Sequence, residues 1–183
     1  MWIVVSAISM SFAAYTSALI VRQGAASDWL HFQLPRVLYF NTLILLASSV
    51  TLDLARRRFV AIPDTLRRAS DSARALLSNG IYWLYVTAAL GATFVLGQVL
   101  AWRNLAAQGL FLATNPSSSF FYVFTALHGV HLLGGLGGLS YVIRKLAGKN
   151  GSLRASGFGA FSIYWHFMDI LWIYLLLLLA ARM

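Results

Sequence analysis

The sequence predicts an all-α integral membrane bundle of five transmembrane helices. Composition and patterning carry this reading together. Hydrophobic residues make up 60% of the 183-residue chain and charged residues only 10%, whereas a water-facing domain needs roughly 25% charged residues to cover its surface. The apolar residues also fall in five long runs, at about 2–21, 37–55, 81–102, 118–143 and 158–181. Each is close to the roughly 20 residues that a helix needs to cross a bilayer.

The first run reads as a retained helix rather than a signal peptide. No basic residue precedes it, and it is longer than the usual signal core. The segment after the second run holds Arg56, Arg57, Arg58, Arg67, Arg68 and Arg74, and the one after the fourth holds Arg144, Lys145, Lys149 and Arg154. The opposite side has only Arg22, Arg36, Arg103 and Arg182. Basic residues are retained on the cytoplasmic side, so the N-terminus is expected inside and the C-terminus outside. The same clustering argues against nucleic acid as the partner behind the net charge of +9. Pro63-Asp64 reads as a turn, with Thr65–Leu77 as either a short surface helix or a solvated connector; the connector is preferred. Asn150-Gly151 marks a turn before the last span. No repeat or second soluble domain is visible, so the chain reads as one bundle.

There is no cysteine, and all five acids are aspartates. Neither disulfides nor thiolate-bound metals are available. Ionisable groups at membrane depth are costly and usually face the bundle interior. His128 and His131 in the fourth span and His166 and Asp169 in the fifth are the candidates, each pair spaced i,i+3. A rise of ~1.5 Å per residue brings His131, His166 and Asp169 to similar levels on antiparallel neighbours. Asp169 is read as the single acid at depth. Three readings compete: a hydrogen-bonded staple joining the fourth and fifth helices, haem ligation by facing histidines, and a proton-handling or lipid-headgroup site. Two histidines at i,i+3 cannot take opposite faces of one porphyrin, and two His with one Asp make a thin metal site. The staple is preferred. Gly134 and Gly138 form a G-x-x-x-G pair that implies close helix packing. No phosphate-binding loop, nucleophile elbow or catalytic carboxylate pair is present.

Three stretches carry a resemblance to a known family. Phe124-Thr125-Ala126-Leu127-His128-Gly129-Val130-His131 is similar to the G-x-H-G-x-H signature of subunit III of the haem–copper respiratory oxidases, with Ala126 in the first glycine place. Tyr164-Trp165-His166-Phe167-Met168-Asp169-Ile170-Leu171-Trp172 resembles the Y-W-H-F-V-D-x-x-W signature of that family's last helix. Asn41-Thr42, with Leu45-Leu46-Ala47-Ser48-Ser49-Val50-Thr51, resembles its L-N-T-x-x-L-L-x-S-S-x-T stretch. The likeness is collinear over essentially the whole chain, and five spans fit the short bacterial form.

The resemblance implies an accessory subunit of a proton-pumping cytochrome c oxidase in the bacterial cell (inner) membrane. Such a chain has no haem or copper of its own, those residing in subunits I and II. It packs on subunit I, binds phospholipid and supports proton uptake, and a larger respiratory supercomplex is a further partner the family allows. Two positions depart from the family. Ser6 is followed by Ala7 where a glutamate is usual, and Ala101-Trp102 stand where another acid is usual. Competing readings are a quinol-oxidase or nitric-oxide-reductase-associated homologue, a haem-b electron-transfer anchor using His166, and a small transporter. The last ranks lowest, because transporters tend to show repeats and broken helices.

Overall fold

A computed structural model describes the backbone of residues 1–25, 29–60, 71–147 and 155–183, and their side chains apart from those of 60, 71–77, 147, 155 and 156. It contains α1 (Trp2–Ala25), α2 (Val37–Val60), α3 (Asp71–Ala107), α4 (Pro116–Ala147) and α5 (Ala155–Arg182). All five are long and apolar enough to cross a membrane. Every expected span lies inside one of these helices, and most helices continue past the apolar run. Residues 71–77 are the first turns of α3, so that part of the expected surface helix belongs to the third span's own helix. Its beginning at 65–70, Pro63-Asp64 and Asn150-Gly151 all lie outside the described residues.

The packing order is a closed ring of four with one helix outside it. α2 and α3 share the most extensive contact, α3 packs on α4, α4 on α5, and α5 returns to α2. α1 touches the ring at α4 and is tied to α5 by a Thr16–Tyr174 hydroxyl bond of 2.9 Å. Bonds at two levels show that α2 and α5 are antiparallel: Thr42 meets Trp172 at one level and Ser48 meets Trp165 at another. α1 and α5 run parallel, since Gln23 bonds Arg182 as Thr16 bonds Tyr174. This is the up–down order of a five-span chain.

The core is a column of large side chains, with Phe12, Phe94, Phe121, Phe124, Trp165 and Trp172 all fully buried. The exposed surface is also rich in large apolar residues, such as Ile3, Phe40, Leu96, Val130 and Leu177. In water that surface would be a liability; in acyl chains it is the solvated face. The turn between α3 and α4 is closed by local chemistry. Gly109 takes φ +78°, and the Leu110 and Gly109 amides bond back to Leu105 and Ala106 carbonyls, which completes a Schellman C-cap. Asn115 then caps α4, its Oδ1 accepting the Ser118 amide at 2.8 Å, with Pro116 at the first helical position.

Candidate functional site

The helices are apolar enough that their polar side chains stand out, and nearly all of those on α2 are used. Asn41 donates to the Phe94 carbonyl of α3 at 3.2 Å, and Thr51 bonds Thr87 of α3 at 2.8 Å. The neighbouring face of α2 meets α5. Thr42 Oγ1 accepts from Trp172 Nε1 at 3.0 Å, and Ser48 Oγ accepts from Trp165 Nε1 at 3.1 Å. From the next residue of α2, Ser49 Oγ donates to Asp169 Oδ2 and stands 3.0 Å from His166 Nδ1. The seam ends where His166 Nε2 lies 3.2 Å from Asp53 Oδ1. In lipid, where no water competes, such bonds are what fixes one helix against another.

The four expected cluster residues are therefore divided among three places. His166 and Asp169 do sit together, as their i,i+3 spacing requires. Their partners, however, are Ser49 and Asp53 of α2, not the histidines of α4. The expected α4–α5 staple is an α2–α5 staple. His131 turns its Nδ1 to the Leu127 carbonyl of its own helix at 2.7 Å, with its ring 6.0 Å from that of Phe12 in α1. His128 is fully buried between Trp172 and Phe94, its ring 5.0 and 5.8 Å from theirs, and neither of its ring nitrogens has a partner among the described residues. The cause is angular. Three residues along a helix leave a rotation of about 60°, which in a five-helix packing is enough to aim two side chains at different neighbours.

Asp169 is joined by a second acid that the cluster did not include. Asp53, two residues before the end of the expected second span, pairs its carboxylate with a group on α5. Ser49 and Asp53 are spaced i,i+4, so they share a face in the way that His166 and Asp169 do. The burial of the seam is graded. Asp53 and His166 side chains are 47% and 33% exposed, while Asp169 is 4% exposed with Oδ1 unpartnered.

The glycine pair faces α5, but it does not mark the closest approaches. A Cβ added at Gly134 would come no closer than 4.0 Å to Tyr164, and one at Gly138 would make ordinary contact with Phe161 at 3.5 Å. The close approaches are elsewhere. A Cβ at Gly97 would overlap the Asn41 side chain, one at Gly91 would meet Leu136 and Trp165 at 3.0 Å, and one at Gly135 would meet Tyr164 at 3.1 Å.

Comparison with known proteins places this architecture. The family described as cytochrome c oxidase subunit III matches residues 8–181. This chain belongs to the cytochrome c oxidase subunit III family. It is 31% identical, over 93% of its own length and 80% of the relative's, to a cytochrome c oxidase subunit 3 from Thermostichus vulcanus. A probable cytochrome c oxidase subunit 3 from Nocardia farcinica is 36% identical over 50% of this chain and 45% of that protein. A cytochrome bo(3) ubiquinol oxidase subunit 3 from Pseudomonas aeruginosa is 30% identical over 88% of this chain and 71% of that protein. As a subunit III, the chain is a multi-pass membrane protein and an accessory subunit of a haem–copper oxidase that associates with other oxidase subunits. Two of the three stretches through which its sequence resembles that family build the seam, with Thr42, Ser48 and Ser49 on α2 and Trp165, His166, Asp169 and Trp172 on α5; the third, on α4, carries His128 and His131 outside it.

Proposed function

We propose that this chain is the subunit III of an oxygen-reducing, proton-pumping cytochrome c oxidase of the bacterial cell membrane. It stands beside subunits I and II, holds subunit I, binds phospholipid and supports proton uptake. The redox chemistry belongs to the haem and copper of the partners. The observation that carries this reading is the family match along almost the entire chain, across all five helices.

The side-chain arrangement is consistent with it. Among the described residues, His128, His131 and His166 each lie against different neighbours, which supports assigning the haem to the partner subunits. Arg56, Arg57 and Arg58 close α2 and Arg144 and Lys145 close α4, which in an up–down bundle is one end. That supports a cytoplasmic N-terminus and an outside C-terminus. At the opposite end, a shallow groove of about 330 Å³ is lined by Trp102, Arg103, Phe111, Leu112 and Tyr122. A guanidinium beside an apolar wall suits the anionic head and acyl chain of a phospholipid.

The Pseudomonas aeruginosa relative favours a second reading, in which the donor is a quinol. Oxygen uptake by the complex captured through this chain separates the two. Reduced cytochrome c is expected to drive it. Turnover with a quinol and none with cytochrome c would assign the chain to a quinol oxidase.

A further inference from the structure

The α2–α5 seam contains a continuous row of four groups that exchange protons. It runs from Asp53 to His166 Nε2, across the imidazole to Nδ1, on to Ser49 Oγ, and ends at Asp169 Oδ2. Its first members are partly exposed, and its last is buried with one oxygen unpartnered. We propose that this row is a proton relay, through which a proton passes between the exposed Asp53–His166 pair and the buried carboxyl of Asp169.

The hydrogen-bond arithmetic gives the row two complete states. A serine has one proton to donate. When Ser49 donates to Asp169, it must accept from His166 Nδ1–H. His166 is then an imidazolium, its Nε2–H donates to the Asp53 carboxylate, and Asp169 is ionised. In the other state Asp169 carries the proton and donates to Ser49, and Ser49 donates to a bare Nδ1. Neutral His166 still gives Nε2–H to Asp53. The states interconvert by two proton hops: Nδ1–H breaks as a bond to Ser49 Oγ forms, and the former Oγ–H breaks as a bond to Asp169 Oδ2 forms. Atoms balance and no electron moves. The net result is transfer of one positive charge from His166 to the buried acid.

The surroundings favour the state with neutral Asp169. A charged buried carboxylate with an unpartnered oxygen is costly, whereas the neutral acid leaves a carbonyl-type oxygen alone. Among the described residues, no basic side chain is bonded to Asp169 at the buried end. The charged groups of α2 on this side are Asp53 and, a turn further toward the helix end, Arg56, Arg57 and Arg58. On α4, the other neighbour of α5, His131 is engaged with Leu127 and Phe12 and His128 with Trp172. α3 presents Thr87 to the α2 side. An inert staple does not require a partly exposed acid–base pair at its open end.

This deepens the proton-uptake part of the proposed function and rests on it for its purpose. It is tested on the full chain alone, so its failure would leave the oxidase assignment standing. The composition helps: the chain has five aspartates and no glutamate. With aspartate carboxyl carbons labelled and the chain in phospholipid nanodiscs, isotope-edited infrared spectra report each carboxyl's protonation. Near neutral pH we expect one protonated carboxyl band, lost in Asp169→Asn. On transfer to D2O its exchange should slow roughly a hundredfold in His166→Gln, the usual loss when a positioned acid–base group is removed. Asp53→Asn, at the exposed end, should slow it too, and serves alone if His166→Gln fails to fold. Five ionised aspartates in the native chain, or exchange as fast in the variants as in the native chain, would overturn the relay.

Discussion

His166 Nε2 and Asp53 Oδ1 stand 3.2 Å apart across the α2–α5 interface, and the other face of the same imidazole meets Ser49. One side chain of α5 is thus held at two levels of α2. Ser49 is the pivot, because it also holds Asp169. Ser49→Ala removes both of its bonds and strips the buried acid of its partner, which is expected to destabilise the bundle by about 1–3 kcal/mol. Thermal unfolding in detergent measures this, and an unchanged midpoint would contradict it.

Asp169→Ala should loosen α5 from α2 and weaken the subunit's hold on the oxidase core, while the core keeps its haem content. Size-exclusion chromatography of the complex, read at protein and haem wavelengths, checks both halves. A variant complex as robust in detergent as the native one would show that the seam does not bear on assembly.

Gly97→Ala and Gly134→Ala are predicted to behave differently, although both replace a helical glycine. The first drives a methyl into Asn41, whose amide is already engaged with the Phe94 carbonyl of α3. Overpacking of this kind typically costs about 1–3 kcal/mol. The second adds a methyl at the outer edge of ordinary contact, 4.0 Å from the Tyr164 hydroxyl, and raises helix propensity by roughly 0.8–1.0 kcal/mol. Paired melting curves test the contrast, and equal losses in the two would defeat it.

Much of the fold is written in the sequence at the level of composition. Five apolar runs produce five helices, because in lipid a spanning segment has to satisfy its own backbone hydrogen bonds. The neighbours of each helix are another matter. His128 and His131 lie on α4 and His166 and Asp169 on α5, as the spans require, but which helix each one faces depends on rotation about its axis. That rotation is set by side chains such as Trp165 and Trp172, whose indole N–H groups reach Ser48 and Thr42. Asp53 was hidden for a related reason. It precedes a run of three arginines, so it reads as part of the charged end of α2 rather than as a partner for a histidine on another helix. G-x-x-x-G marks small residues that face α5, whereas the tightest contacts among the described residues fall at Gly97, Gly80, Gly91 and Gly135.

The segment from Arg56 to Asn79 should be cytoplasmic, given the placement of six arginines within it. Ser70→Cys in the otherwise cysteine-free chain provides a single labelling site. An impermeant thiol reagent applied outside intact cells should leave it unmodified until the membrane is opened. Labelling in intact cells would invert the topology.

The most direct test is to purify the tagged chain in mild detergent and count haem and copper against each polypeptide. The chain is expected to bring down two larger oxidase subunits with haem and copper, and to retain neither after separation from them. Recovery of the chain alone, or of stoichiometric haem iron on the separated chain, would contradict its role as a redox-free subunit of a haem–copper oxidase.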